Sequence, residues 1–305
     1  MLDSSLTAAE LATQPDCWRR AAALAGPSAT ALPQRGERVA VVGCGTSWFI
    51  AQAYAALREA AGHGETDAFA ASEFPAARRY DRVLAITRSG TTTEVLALLA
   101  RARATSTATT ALTADPKTPI LGAADQLVVL DFADERSVVQ TRFATSALAL
   151  LRAHLEADGA PAPGTAGVAR AADDAERALG DPLPEGLLTV DQISFLGTGW
   201  TYGLAQEAAL KMREAAQLWT EAYPAMEYRH GPIAIAAPGR ATWVFGAPPA
   251  GLAQQITATG AQLVADRELD PMADLIRAQR LAVALAAARG LDPDRPRALT
   301  RSVQL

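Results

Sequence analysis

Apolar and polar positions along this chain follow two periods. Short apolar runs at Arg38–Val42, Arg82–Thr87, Thr107–Leu112 and Gln126–Leu130 end in turns, and helical segments follow among them. That pattern predicts buried parallel strands feeding helices. Residues 8–24 read as an amphipathic helix broken by Pro15, and the stretch Ser137-Val138-Val139-Gln140-Thr141-Arg142 opens a helix that ends near Leu155. From Asp158 to Gly186 the chain is rich in Pro, Gly and Ala, which marks a connector around one short helix. The first pattern then returns. LGTGWTYGLAQEAALKMREAA, from Leu196, aligns with VGCGTSWFIAQAYAALREAAG, from Val42, matching Gly43 to Gly197 and Gly45 to Gly199. A repeat of about half the chain means two copies of one domain, not a solenoid. The expected organisation is a helical segment over 1–30, an α/β domain over 31–158, a linker over 159–186, a second α/β domain over 187–290 and a tail over 291–305.

Composition narrows the function classes. With 305 residues, 50% hydrophobic and only 6% aromatic, the chain can bury two modest cores, and its alanine excess points to helices packed closely on sheets. A net charge of −5 without a basic cluster argues against nucleic acid or an anionic membrane as partner, so an anionic ligand has to be met locally. The amino terminus has no basic n-region followed by an apolar stretch, and no 18-residue apolar run occurs, which predicts a cytoplasmic protein. Cys17 and Cys44 lie far apart without metal-ligand spacing, so two reduced thiols are expected, with no disulfide and no metal site. No cofactor is implied.

Two turns carry candidate binding chemistry. Gly43-Cys44-Gly45-Thr46-Ser47 follows the first strand, and a dinucleotide fingerprint would need a third glycine where Trp48 stands. Thr87-Arg88-Ser89-Gly90-Thr91-Thr92-Thr93 follows the next strand and crowds five hydroxyls and an arginine at a helix amino terminus. Backbone N–H groups and the helix dipole at such an end favour a phosphate, to which hydroxyls add directed hydrogen bonds. One Ser or Thr would be enough for a simple cap.

The stretch Gly203–Pro232 gathers candidate acid/base groups. If 203–217 is helical, Glu207, Lys211 and Glu214 fall on one stripe at i, i+4 and i+7. An isolated E-x-x-x-K-x-x-E is most often a solvated face, but the remaining faces here are alanine-rich, so the helix reads as interior and its charges as paired or used. Of three histidines, His63 and His154 read as surface residues, whereas His230 lies on a loop constrained by Tyr223-Pro224 and Gly231-Pro232. In the repeat register Leu57 stands opposite Lys211 and Ala60 opposite Glu214, so only the second copy carries the charged pair.

Together GCGTS (43–47), SEF (72–74), ITRSGTT (86–92), E-x-x-x-K-x-x-E (207–214), EAYP and E-Y-R-H-G-P (221–232) and LDPDRPRALTRSV (291–303) resemble the tandem sugar isomerase (SIS) domain family. The chain is similar over nearly its whole length to the isomerase half of glucosamine-6-phosphate synthase and to stand-alone amino-sugar-phosphate deaminases and deglycases. The resemblance implies two flavodoxin-like subdomains, a phosphosugar ligand, a tail that closes the site, and a homodimer whose sites are shared between subunits. It assigns phosphate binding to Ser47, Thr87, Ser89 and Thr92, with Gly45, Thr46 and Arg88 in the same turns. Proton shuttling falls to Glu214, a charged site role to Lys211 with Glu207 beside it, and ring opening to His230. No glutaminase segment is present, so glutamine-dependent synthesis is not expected of this chain. Arg301 replaces a tail lysine capable of imine formation and cannot act as that nucleophile. Arg88 replaces a neutral amide, which points to a more acidic sugar substituent or to a phosphate salt bridge. The reading is an amino-sugar-phosphate deaminase of the aldose/ketose isomerase type. The alternatives are a fructosamine-phosphate deglycase and a non-catalytic sugar-phosphate sensor, with ammonia-dependent synthesis a weaker third.

Overall fold

The computed structural model describes residues 5–159 and 165–305; part of the expected linker, 160–164, lies outside them. The elements run α1 (Leu6–Leu11), α2 (Gln14–Ala23), β1 (Val39–Gly43), α3 (Thr46–Ala60), β2 (Thr66–Ala70), β3 (Arg82–Ile86), α4 (Thr93–Ala104), β4 (Ala108–Thr113), α5 (Ile120–Ala123), β5 (Gln126–Val129) and α6 (Arg142–Ala157). They continue with α7 (Val168–Gly180), β6 (Gln192–Gly197), α8 (Thr201–Ala216), β7 (Trp219–Pro224), β8 (Arg240–Phe245), α9 (Leu252–Ala258), β9 (Gln262–Asp266) and α10 (Pro271–Ala288).

The chain divides into two compact units. Taking the described residues of each range, the amino-terminal unit holds Asp16–Arg136, Arg142–Ala169 and Thr300–Leu305. The carboxy-terminal unit holds the segment ending at Pro15, Ser137–Thr141 and Arg170–Leu299.

The amino-terminal unit is built on a five-stranded sheet of order β2-β1-β3-β4-β5, parallel throughout. Every residue of β1 and β3 is buried, as a sheet covered on both faces requires. Val42, Val83 and Ala85 pack with Val95, Leu98 and Leu99 of α4 in one core cluster. The carboxy-terminal unit has a four-stranded parallel sheet of order β7-β6-β8-β9, the same winding without a fifth strand. The fold is therefore two flavodoxin-like α/β subdomains, each a parallel sheet flanked by helices.

The repeat extends to the backbone. A Cβ on Gly43 would stand 2.7 Å from the Ser47 carbonyl carbon, and one on Gly197 would stand 2.3 Å from that of Thr201, so in each unit only glycine lets the helix start this close to the strand. Gly45 and Gly199, at φ +55° and +57°, make the same left-handed turn into α3 and α8.

The structure refines several sequence expectations. The break in the first helical segment lies at Ala12 and Thr13, and Pro15 sits in the first turn of α2, where its missing N–H is no loss. His63 and His154, expected at the surface, are both buried in the amino-terminal unit. The His63 carbonyl accepts from Gly36 N–H at 2.7 Å, and His154 Nε2 lies 3.1 Å from the Pro33 carbonyl, so the segment before β1 covers them. Burial pushes the His63 imidazole below its ordinary pKa. Cys17 is buried and Cys44 half-buried, and neither forms a disulfide. Among the described residues no helix is long and apolar enough to cross a membrane.

Candidate functional site

β1 and β3 are neighbours with Val42 opposite Ala85, so the turns that follow them leave the same edge of the sheet side by side. The strand order reverses at this point, where open α/β sheets place their ligands. Thr46 and Ser47 are buried in the first turn of α3, and Thr87 is buried at the end of β3. Thr92 is the N-cap of α4, yet its side chain makes no capping bond. Among the described residues the hydroxyls of Ser47, Thr87 and Thr92 have no hydrogen-bond partner, and that of Thr87 is wholly out of solvent. Leaving a buried hydroxyl unpaired costs about 1–3 kcal/mol, a cost that a bound anion would remove. The Ser89 hydroxyl accepts from the N–H and hydroxyl of Thr91 at 3.3 and 3.1 Å, which fixes the turn. Cys44, in the first turn, has its thiol pKa raised by burial and by the Glu94 carboxylate, so it stays protonated.

Arg88 is buried in the same turn and faces protein groups. Its Nη1 lies 3.6 Å from Glu135 Oε2, and its Nη2 donates to the Arg301 carbonyl at 3.0 Å. Arg301 in turn pairs with Asp134 at 2.5 Å and donates to the Glu135 carbonyl. The turns and the tail arginine are thus brought together within the amino-terminal unit. Glu135 and Asp134 carry no motif signal; a buried carboxylate opposite Arg88 becomes visible only when the strands are assembled.

In the carboxy-terminal unit, α8 is a helix of strong formers whose Leu204, Ala205, Ala208 and Met212 are core. Glu207 and Lys211 are buried with them and Glu214 is half-buried. Lys211 Nζ lies 2.5 Å from Glu214 Oε2 and 3.5 Å from Glu207 Oε1, so the ammonium is held between two carboxylates. An unpaired ammonium at this depth would be strongly destabilising. Glu214 also faces a cavity of about 530 Å³ whose walls include Leu210, Leu218, Trp219, Glu221 and Arg297. Of these, Glu221, Leu210 and Arg297 lie within sequence motifs noted above; Trp219 is exposed at the start of edge strand β7 and carries no separate signal. Burial lowers the pKa of Arg213, another wall residue, from its ordinary value.

His230 ends a short 3-10 turn, Glu227–His230, and is exposed. Among the described residues it makes no hydrogen bond or ion pair with Glu214 or Lys211. The described residues contain no group of three or more His, Cys, Asp or Glu able to hold a metal ion.

Residues 33–157 match the model of the SIS domain. Over 88% of its length the chain is 29% identical to the glutamine–fructose-6-phosphate aminotransferase (isomerizing) of Gloeobacter violaceus, and over the same share 28% identical to that of Methanothermobacter thermautotrophicus. It spans about half the length of these curated relatives, 52% and 51%. Among solved structures, glucosamine-6-phosphate deaminase from Thermotoga maritima is similar with a TM-score of 0.81 at 23% identity, covering 99% of this chain and 100% of that one. Tagatose-6-phosphate ketose/aldose isomerase from Escherichia coli follows with 0.78 at 18% identity, covering 97% of each. At these identities the likeness is one of fold. An SIS domain thus spans residues 33–157, and the chain as a whole shares its fold with these structures.

Proposed function

We propose that this chain is a phosphosugar isomerase-type enzyme that deaminates an amino-sugar phosphate of the glucosamine-6-phosphate kind to a ketose phosphate and ammonia. The observation that carries the reading is Lys211 held between Glu207 and Glu214 on a buried helix, with Glu214 open to a cavity. Moving a proton from C2 to C1 of an opened sugar needs a carboxylate near both carbons, a cation for the developing oxyanion and an acid/base to open the ring. Glu214 takes the C2 proton and returns it at C1, Lys211 steadies the charge on the C1 oxygen, and His230 opens the ring. With an amine on C2 the product of this transfer is a ketimine, and addition of water then releases ammonia and leaves the C2 carbonyl. Gly45, Thr46, Ser47, Thr87, Ser89 and Thr92 bind the phosphate. The names of the aminotransferase and deaminase relatives support the hexosamine phosphate. We also propose a cytoplasmic homodimer in which His230 serves the site of the second copy.

A second reading is removal of a larger amine from a glycated-amine phosphate, for which the same carboxylate and ammonium on α8 would serve. Ammonia release from glucosamine-6-phosphate, with the ketose phosphate assayed in parallel, tests the first reading. Release that Glu214→Gln abolishes supports deamination. Release only from fructosamine phosphates supports the second reading, and saturable binding without any turnover identifies a sensor.

A further inference from the structure

Arg88 occupies the position where a ligand-facing cation was expected, but its guanidinium is already committed. Glu135, which it faces at 3.6 Å, is fully buried and accepts from the backbone N–H groups of Arg142 at 2.8 Å and Phe143 at 3.4 Å at the start of α6. A buried guanidinium and carboxylate this close largely cancel in charge. The turn therefore gains no net positive charge from Arg88, and an acidic sugar substituent would find none.

What Arg88 does hold is the tail. Apart from bonds within the tail, the hydrogen bonds of residues 301–305 among the described residues go to the turn or to the Asp134-Glu135 pair. The Arg301 carbonyl accepts from Arg88, and the Ser302 hydroxyl shares a 2.9 Å bond with that of Thr91. The Gln304 side chain donates to Thr91 Oγ1 at 3.3 Å. The Val303 carbonyl accepts from Thr93 N–H at 3.3 Å, and Leu305 N–H donates to Thr93 Oγ1 at 3.0 Å. The Arg301 side chain is fastened to Asp134 and to the Glu135 carbonyl.

We propose that Arg88, neutralised by Glu135, is a positioning residue that latches segment 301–305 onto the hydroxyl-rich turn opening α4, and that it does not read an acidic group on the sugar. The proposal rests on the phosphosugar reading of that turn. The tail takes up the Thr93 N–H and the Thr91 hydroxyl, which leaves Ser47, Thr87 and Thr92 for the ligand. Ligand affinity then depends on the tail being seated, because the tail fixes the turn that carries Thr87 and Thr92.

The test uses the full chain as Arg88→Lys, Arg88→Gln and the charge-balanced double variant Arg88→Gln/Glu135→Gln. Tryptic cleavage after Arg301 is followed by mass spectrometry, and binding of glucosamine-6-phosphate and of 6-phosphogluconate by calorimetry. Loss of one charge-assisted hydrogen bond is worth about a tenfold change. Cleavage after Arg301 is expected to accelerate by about that factor in the double variant and in Arg88→Lys. The lysine keeps the charge pair with Glu135 but lacks the fork that reaches both partners. Glucosamine-6-phosphate binding weakens about tenfold in parallel, and KM rises more than kcat falls. Unchanged cleavage in both variants, with loss confined to 6-phosphogluconate, would overturn the latch and make Arg88 an acid-reading residue. Faster cleavage in a protein whose wild type binds neither compound would leave the latch standing and sink the phosphosugar reading of the turn.

Discussion

Thr87 shows how a single hydroxyl separates binding from folding. It is buried and, among the described residues, without a hydrogen-bond partner, so replacing it with the isosteric valine removes a polar group that makes no bond in the unliganded fold. Thr87→Val is expected to be at least as stable as wild type by chemical denaturation, while its affinity for a sugar phosphate falls about tenfold by calorimetry. A parallel loss of stability would show that the hydroxyl serves the core. Asp274 makes a different prediction. Burial pushes its carboxyl up to about 6, against the pull of the Trp243 indole N–H at 2.8 Å and of Arg277. The unfolded-state value is near 3.9, so between these values the native state holds a proton that the unfolded chain has released. The contribution of this group is full below about pH 4 and is lost as pH rises through 6, by about 3 kcal/mol in all. Asp274→Asn cannot ionise, and the wild type is expected to lose stability relative to it over this window in urea melts at a series of pH values. A constant difference would contradict the assignment. The charged stripe on α8 was legible in sequence because helical spacing alone brings Glu207, Lys211 and Glu214 together. The partner of Arg88 was not, because Glu135 reaches it only through tertiary structure. The histidines 63 and 154 misled for the same reason, since what buries them is the distant segment before β1.

At the scale of elements, four strands of the amino-terminal unit were readable as apolar runs, edge strand β5 among them, whereas edge strands β2 and β7 were not. β1, β3, β4 and β5 appear within a residue or two of their expected bounds. β2 and β7, half exposed at the edges of their sheets, show no clean period of either kind. The strand-to-helix turn that opens each unit is set by glycine, and this has a measurable consequence. A methyl group at position 197 meets backbone atoms of Thr201 and Tyr202 at 2.3–2.4 Å, which no side-chain rotation relieves. Gly197→Ala is expected to destabilise the protein by about 1–3 kcal/mol in denaturant unfolding, and Gly43→Ala to act in the same direction. An alanine at 197 with wild-type stability would show that α8 is not seated on β6 in this way.

For the whole molecule, the internal repeat was the strongest message of the sequence, because the matched glycines mark the same turn in both halves. The grouping of Ser137–Thr141 with the carboxy-terminal unit left no trace in composition, since it reflects long-range contacts alone. If a site draws Glu214 from one copy and His230 from the other, two inactive variants can complement each other. Glu214→Gln mixed with His230→Asn, and refolded together, is expected to recover about a quarter of wild-type turnover, since half the dimers are mixed and each has one intact site. Recovery of nothing from a confirmed mixed dimer would place Glu214 and His230 of one chain in the same site.

The most direct test of the central claim, that the carboxylate of α8 moves the sugar proton, is to compare wild type and Glu214→Gln in single-turnover kinetics and in calorimetric binding of glucosamine-6-phosphate. Turnover is expected to fall by about 10²–10⁴ while the Kd stays within about threefold, because the amide keeps the shape of the site and loses only its base. Turnover within about threefold of wild type, or loss of binding in step with loss of rate, would contradict it.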